Sequence, residues 1–253
     1  QQKHYIKKNF KNFSVDKMAD DLNLGKKEIT KYLKKHLPEK QYEKLFDIEK
    51  SHHEDPLSDI SRFIIDNINY FILLSILVVI CYFNSLGNTF VSDDIMGLVH
   101  NPIFLDFKNA FSGYNSFSFF PYFILFKIDP TNPALFRMIN IIFHLGSAYL
   151  IFILLAIMTK KKTVGLISAM IFAVHPILIE SVTWISGRPY SQYAFFFLLS
   201  FLLYLISKKR NSNKLYYYSL AAYAFSVMTS EKATSLFLVF ALYEFCFGNW
   251  KKE

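Results

Sequence analysis

The sequence is poor in cysteine throughout and poor in acidic residues beyond its first quarter. Its two cysteines, Cys81 and Cys246, lie inside apolar runs, which indicates packing rather than a disulfide or a metal site. No glycine-rich phosphate-binding loop is present, so the usual signature of a nucleotide site is missing. Residues 67–253 contain only eight Asp or Glu, against 12 in residues 1–66. The net charge of +8 therefore does not mark the whole chain as a nucleic-acid-binding protein.

Long apolar runs dominate the remainder of the chain. Apolar residues make up 53% of 253 positions, including 28 Phe and 16 Tyr, more aromatic surface than a soluble domain of this length can bury. Runs long enough to cross about 30 Å of hydrocarbon predict an all-α, polytopic membrane protein with about six spans. The predicted spans are residues 67–86, 134–158, 164–185, 192–206, 215–228 and 233–247. His175-Pro176 interrupts the third span, and residues 87–133 form a long loop.

Residues 1–60 predict a small soluble head with a charged linker, and residues 61–253 a membrane domain. Val15–Leu22, a tight turn and Lys26–Leu37 read as two helices in a helix-turn-helix-like arrangement. The second helix is basic enough to contact phosphates, so nucleic acid is an alternative ligand of residues 1–40. The other interpretation is a solvated helical hairpin that contacts a partner or the membrane surface.

Basic residues predict the orientation of the chain. Nine Lys or Arg lie in residues 160–162, 208–214 and 251–252, which places these segments and the head in the cytoplasm. The loop 87–133 and the segment 180–188 then share the outer face. The chain begins without Met and stops directly after an apolar run, so we expect it to be the membrane part of a longer protein, truncated at its C-terminus.

Ionisable groups beside membrane spans are costly, and the first such group is Asp93-Asp94, followed by Asn101. Adjacent carboxylates repel each other, and they suit deprotonating a hydroxyl or binding a cation. The alternative is a pair of capping residues that begins a short helix in the loop. No metal site is predicted, although the sequence leaves open whether a divalent ion contacts the aspartates.

The second polar group, Arg137, Asn140 and His144, lies on one face of the second span because its members are three and four residues apart. That face must look into the bundle or a wet cavity. For Asn140 a hydrogen bond that fixes helix packing is the favoured interpretation. For His144 a packing role and a role in substrate binding stay equally open.

The third polar group follows Pro176, which bends the chain toward the membrane interface. If the stretch is helical, Glu180, Trp184 and Arg188 fall four residues apart on one face. An arginine there suits binding a phosphate, and a tryptophan suits supporting a sugar ring or an isoprenoid tail. The alternative is a Glu–Arg pair on an interfacial helix, with the tryptophan in the aromatic belt.

These motifs, in this order, resemble a known family. F-V-S-D-D-x6-N after the first span, N-x3-H in the second and H-P-x3-E-x-V-x-W-x2-G-R in the third are similar to the transmembrane and tetratricopeptide-repeat O-mannosyltransferases. That family is part of the C-type glycosyltransferase superfamily, whose helical membrane architecture we therefore expect here. The match covers about residues 89–241.

The resemblance implies an inverting transfer of a sugar, mannose in this family, from a polyprenyl-phosphate donor to a protein hydroxyl on the non-cytoplasmic face. Membrane lipid, the lipid-linked donor and a protein acceptor are the implied partners, and no bound cofactor is implied. One member of the acidic pair would be the general base. The other residues would bind substrate; they are Asn101, His144, His175, Glu180, Trp184 and Arg188.

The sequence also departs from the family pattern. Tyr190 stands where many members carry Asp, Phe120-Pro121-Tyr122 where many carry Arg-Pro-Leu, and Glu231-Lys232 reverses the expected order. These differences bear on the sugar and the acceptor. Two alternative functions are a membrane-anchored regulator with a DNA-binding head and a membrane subunit without catalytic activity.

Overall fold

The computed structural model describes residues 6, 15–22, 24–36, 60–101 and 116–247. The chain forms two compact units, Gln1–Phe63 and Ile64–Glu253. All regular elements in the described ranges are helices. The prediction of an all-α polytopic membrane protein is confirmed, since three of these helices are long and apolar enough to cross a membrane and a bent pair provides a fourth candidate.

Residues 15–22 and 24–36 of the first unit form a helical hairpin. Helix α1 (Val15–Leu22) and helix α2 (Lys26–His36) are joined by a turn in which the Leu24 amide donates to the Ala19 carbonyl at 3.0 Å. Met18 and Ala19 of α1 bury their side chains with Ile29 and Leu33 of α2. The hairpin thus has an apolar core of its own. Whether it binds nucleic acid stays a prediction.

The remaining α-helices belong to the second unit, apart from the first of them, which crosses the boundary between the units. Their bounds are α3 (Ile60–Asp66), α4 (Ile68–Tyr82), α5 (Ser116–Ile128), α6 (Pro133–Thr159), α7 (Lys162–Val174), α8 (Ile179–Thr183), α9 (Arg188–Arg210), α10 (Asn213–Thr229) and α11 (Leu236–Phe247). Short 3₁₀ turns lie at Phe83–Gly87, Pro176–Leu178, Ile185–Gly187 and Glu231–Ser235, and one π turn at Ile95–Val99. Helix α5 lies within the segment that the sequence predicted to be a long loop.

The ends of the helices follow local sequence signals. Helix α6 begins at Pro133 after Asn132, whose side-chain oxygen accepts a hydrogen bond from the Ala134 amide. It ends at Lys160, which adopts the left-handed conformation at φ 56°. Helix α9 ends in the same way at Asn211, with φ 48°. The chain reverses after each of these two helix ends, so α7 runs back along α6 and α10 runs back along α9.

Helix α4 shows the side-chain pattern of a helix at the edge of a membrane bundle. Phe71, Leu74 and Val78 are buried against the protein. Ile72, Ile76 and Ile80, spaced one turn apart, are 50–71% exposed. Because water would disfavour such an apolar stripe, this face fits contact with lipid.

Small residues bring the central helices into close contact. Helix α6 packs against α4, α7 and α9, and α9 packs against α10. A side chain at Gly165 of α7 would lie 2.6 Å from the Phe152 carbonyl oxygen of α6, so the backbones touch there. Between α9 and α10 the hydroxyls of Ser200 and Ser219 each donate to the other residue's carbonyl at 2.8 Å.

The third predicted span is broken where the sequence indicated. Helix α7 ends at Val174, and the segment Pro176–Thr183 continues at an angle of 53° to it. Pro176 has no amide hydrogen to donate, so it cannot continue the hydrogen bonding of α7. The next amide, that of Ile177, donates to the His175 ring nitrogen Nδ1 at 3.2 Å. The predicted interruption at His175-Pro176 is therefore confirmed.

The number of spans stays a prediction for the last part of the chain. The first, second and fourth predicted spans correspond to helices that qualify by length and hydropathy, and the third to the bent pair. Helices α10 and α11, which occupy the fifth and sixth, have 17 and 12 residues. They are shorter than the roughly 20 residues that a perpendicular crossing needs.

The two ends of the bundle differ in character. The turn between α6 and α7 and the turn between α9 and α10 lie at one end and hold the basic residues Lys160–Lys162 and Lys208–Arg210. The loop after α4, the start of α6 and the break after α7 lie at the other. We call the second end the polar end because the predicted site residues are there.

Candidate functional site

A buried arginine ties three segments together at the polar end. Arg137, in the first turns of α6, is 1% exposed, and its Nε donates to the Thr183 carbonyl at 2.9 Å. Its two terminal nitrogens donate to the carbonyls of Asn88 and Thr89. The guanidinium thus satisfies backbone groups of two segments and holds them beside α6. One is the loop that follows α4, which we call the first loop, and the other is residues 175–187, which we call the bend.

The next turn of α6 continues this contact. Asn140 donates from Nδ2 to the Trp184 carbonyl at 3.0 Å. The buried Tyr122 hydroxyl of α5 donates to the Ile185 carbonyl at 2.7 Å and lies 3.1 Å from Asn140 Oδ1. The predicted shared face of α6 is confirmed, and for Asn140 the contact is the packing hydrogen bond that the sequence favoured.

His144 lies further along the same face. It is 2% exposed and stacks on the Phe172 ring at 4.9 Å, and its Nε2 is 3.1 Å from the Ala173 carbonyl oxygen. An edge contact with Tyr82 completes its surroundings. These contacts fix helix packing, and the same side chain also lines a cavity described below, so its role in substrate binding stays a prediction.

The two adjacent aspartates have different surroundings. Asp94 is fully buried, and its Oδ1 accepts from both the amide and the hydroxyl of Ser186, at 2.9 and 2.7 Å. Its Oδ2 accepts from the Val91 amide at 3.2 Å. Both carboxylate oxygens are therefore occupied, and Asp94 joins the first loop to the bend across 92 positions of sequence.

Asp93 instead faces outward. Its side chain is exposed, and its one described hydrogen bond is a long one of 3.4 Å from the Ser92 hydroxyl. Ser92 has φ 49°, a left-handed conformation uncommon for a residue other than glycine. That turn lets Asp94 point into the protein while Asp93 points out. Asp94 also precedes the π turn, but without a side-chain capping bond, so capping does not explain the pair.

The contact between Asp94 and Ser186 gives a measurable coupling. Asp94→Asn and Ser186→Ala are each expected to lower the free energy of unfolding by about 1–3 kcal/mol, because a buried hydrogen bond to a charged group is worth about that. The double variant is expected to lose less than the sum. Thermal unfolding in mild detergent measures all three variants, with Thr159→Ala, an exposed hydroxyl at the basic end, as the control. Strictly additive effects would show that the two groups do not interact.

An open cleft of about 710 Å³ lies against these segments. Its wall comes from the first loop, the start of α6 and the bend. The lining residues are Gly87, Asn88, Thr89, Val91, Ser92, Arg137, Glu180, Thr183 and Trp184. Asp93 is not a lining residue but follows directly on Ser92, which is one. A volume of this size suits a sugar together with part of a second substrate.

The bend divides the residues of the third polar group. The condition for a shared helical face is not met, because Trp184 is extended (ψ 124°) between α8 and the 3₁₀ turn Ile185–Gly187. Glu180 and Trp184 line the cleft. Arg188 begins α9 and is buried elsewhere.

Arg188 packs inside the protein beneath α5. Its guanidinium lies 3.7 Å from the centre of the Tyr122 ring, and its Nη2 donates to the Ser118 hydroxyl at 3.2 Å. Nε and Nη1 have no hydrogen-bond partner among the described residues. A phosphate in the cleft would not meet this side chain in the present arrangement. Arg188 does not line the cleft, so its binding of the donor phosphate stays a prediction.

His175 and Asn101 have local contacts. His175 is exposed and caps the turn after α7, as described above. The Asn101 side-chain amide donates to the Gly97 carbonyl at 3.0 Å, within the turn that follows the aspartates. Neither residue lines the cleft, and their role in substrate binding stays a prediction. No group of three His, Cys, Asp or Glu in the described ranges is close enough to hold a metal ion.

Comparison with known proteins gives relatives of one kind. The chain is 30% identical over 154 residues to protein O-mannosyl-transferase TMTC3 of Mus musculus, an alignment that covers 54% of the chain and 17% of the relative. It is 34% identical over 145 residues to protein O-mannosyl-transferase TMTC1 of Homo sapiens, covering 49% and 16%. The predicted resemblance to the O-mannosyltransferases is confirmed.

A third relative extends the same pattern. Protein O-mannosyl-transferase F38B6.6 of Caenorhabditis elegans is 27% identical over 165 residues, covering 56% of the chain and 24% of the relative. The chain thus spans less than a quarter of the length of each of these relatives. No family profile matches it, and no solved structure does.

Two residues that organise the site were not among the predicted site residues. Ser186 carried no signal, because its partner Asp94 is remote in sequence. Arg137 was recognised as a polar residue on the inward face of α6 but was not assigned to the site. Arg137 is a charged residue on an apolar span with no acidic residue one helical turn away to pair with. That pattern could have indicated that it binds a distant segment of the site.

Proposed function

We propose that this chain is the membrane part of a glycosyltransferase that moves a sugar, mannose, from a polyprenyl-phosphate donor to a protein hydroxyl. The observation that carries this proposal is the exposed Asp93 directly after Ser92, which lines a cleft together with Glu180 and Trp184. The names of the relatives support mannose and a protein acceptor. The absence of a glycine-rich loop in the sequence is consistent with a lipid-linked donor.

In this proposal Asp93 is the general base. The acceptor hydroxyl gives its proton to the Asp93 carboxylate as its oxygen forms a bond to the anomeric carbon. The bond from that carbon to the phosphate oxygen breaks, and the electron pair leaves with the phosphate. Attack opposite the leaving group inverts the anomeric centre, in line with C-type chemistry. Asp94 is a positioning residue, because its oxygens are bound to Val91 and Ser186.

The proposed orientation puts the polar end on the non-cytoplasmic face. The basic turns 160–162 and 208–210 lie at the opposite end of the bundle. Lys and Arg beside spans are favoured on the cytoplasmic side. The N-terminal hairpin would then be cytoplasmic.

The test is transfer of labelled mannose by the full-length protein in lipid nanodiscs. Polyprenyl-phosphate mannose is expected to label a protein or peptide acceptor, and a nucleotide-linked mannose is expected to give none. Asp93→Asn combined with Asp94→Asn is expected to abolish labelling. Transfer that persists in this double variant at normal abundance would rule out the proposed base.

A further inference from the structure

A second cavity of about 410 Å³ lies beside the cleft. It is enclosed by α6, the end of α7, the bend and the first turns of α9. Its walls combine apolar and aromatic side chains such as Phe172, Ile177 and Tyr193 with the polar side chains of His144 and Ser191. A mixed lining of this kind suits a ligand with an apolar body and a few polar groups.

Glu180 connects the two cavities. Its side chain is exposed and lines both the cleft and the second cavity. The two spaces therefore share this residue as part of their walls. A sugar bound beside Glu180 would have the cleft, whose lining includes Ser92 next to Asp93, on one side and the second cavity on the other.

The rim of the second cavity is apolar on one side. Ile177 is 77% exposed although it contributes to the lining, and the neighbouring Ile179 is 50% exposed. Exposed isoleucines on a bend at the end of a membrane helix fit contact with acyl or isoprenoid chains rather than with water. Ile177 therefore offers a lipid tail an exposed apolar side chain at the cavity wall.

A cation lies beside one residue of the cavity wall. The Lys232 ammonium is 4.3 Å from the centre of the Tyr190 ring, and Tyr190 lines the cavity. The Lys232 amide is bound to the Ser230 hydroxyl at the start of the 3₁₀ turn. In the part of the chain that the structure describes, no carboxylate lies within ion-pair distance of this ammonium. Its charge is available to an anionic ligand.

We propose that the second cavity binds the isoprenoid-phosphate end of the lipid donor, with Lys232 as the phosphate-binding residue. The identity of the donor rests on the proposed function. During transfer the leaving phosphate gains a negative charge when its bond to the anomeric carbon breaks, and the Lys232 ammonium stabilises that charge. Glu180 then stands between the donor cavity and the acceptor cleft.

The experiment measures binding of polyprenyl phosphate without a sugar to the purified full-length protein in nanodiscs. Lys232→Gln is expected to weaken binding on the order of tenfold, since it removes one charge-assisted contact, and Lys232→Arg is expected to restore most of it. The matched control is Lys127→Gln, which removes another lysine held near an aromatic ring, 5.5 Å from the centre of Phe123, outside both cavities. Polyprenol without phosphate should bind equally to all variants.

The outcomes separate this inference from the proposed function. Unchanged polyprenyl-phosphate binding by Lys232→Gln overturns the inference, whether or not sugar transfer is observed. Weakened binding in a protein that transfers no sugar supports the inference and leaves the proposed function refuted. Polyprenyl-phosphate binding can be inhibited by inorganic phosphate or by added polyprenyl phosphate. Weaker inhibition by inorganic phosphate supports a lipid headgroup as the ligand, and equal inhibition contradicts it.

Discussion

Asp93→Asn is expected to slow sugar transfer by at least about a hundredfold, because an amide cannot accept the proton of the acceptor hydroxyl and general-base catalysis contributes at least that factor. The exposed Asp93 side chain has one long hydrogen bond, so the variant is expected to unfold at the wild-type temperature. Initial rates with polyprenyl-phosphate mannose, measured beside thermal unfolding, test both statements.

Two controls make this result specific. Asp129→Asn changes another carboxylate before α6, which accepts from the amide and hydroxyl of Thr131 and lines neither cavity, and it is expected to leave the rate unchanged. Asp94→Asn is expected to lower stability and rate together, because its carboxylate holds Ser186. Normal transfer by Asp93→Asn would contradict the assignment of this residue as the base.

Arg137→Gln is expected to lower the free energy of unfolding by about 3 kcal/mol or more. Three hydrogen bonds from a charged group would be lost, each worth about 1.5–3 kcal/mol in soluble proteins and less within membrane helices. Three carbonyls, of Asn88, Thr89 and Thr183, would lose their donor. Unfolding by heat and by denaturing detergent measures the loss.

Replacing Arg137 by Lys separates charge from geometry. A lysine keeps the positive charge, but its single nitrogen cannot take the three positions from which Nε and the two terminal nitrogens of Arg137 donate. Arg137→Lys is therefore expected to be nearly as unstable as Arg137→Gln. The exposed Lys214→Gln at the basic end serves as the control. A stable Arg137→Lys protein would show that charge rather than the fork of donors is what matters.

The sequence predicted those parts of the fold that depend on local signals. The pattern of residues 15–36 predicted the helical hairpin. The long apolar runs predicted the helices α4, α6 and α9, which are long and apolar enough to cross a membrane. The break at His175-Pro176 follows from the covalent structure of proline. The inward face of α6 was predictable because three polar side chains recur with the helical period.

The parts that the sequence did not predict depend on distant contacts or on short segments. Helix α5 is apolar, but it has 13 residues and contains Pro121, so neither its length nor its proline marks it as a membrane helix. The burial of Arg188 depends on the Tyr122 ring of that same helix. The different surroundings of Asp93 and Asp94 depend on Ser186, which no local pattern connects to them.

Glu180 forms part of the wall of both cavities, so in the proposed function it is the side chain through which the affinities of the two substrates would be linked. A ligand in one cavity that repositions this carboxylate changes the free energy of filling the other, and the effect is reciprocal. A donor lipid that strengthens acceptor binding by some factor must itself be bound more strongly by that same factor once the acceptor is present. The protein would then favour the complex that holds both reactants over either partial complex.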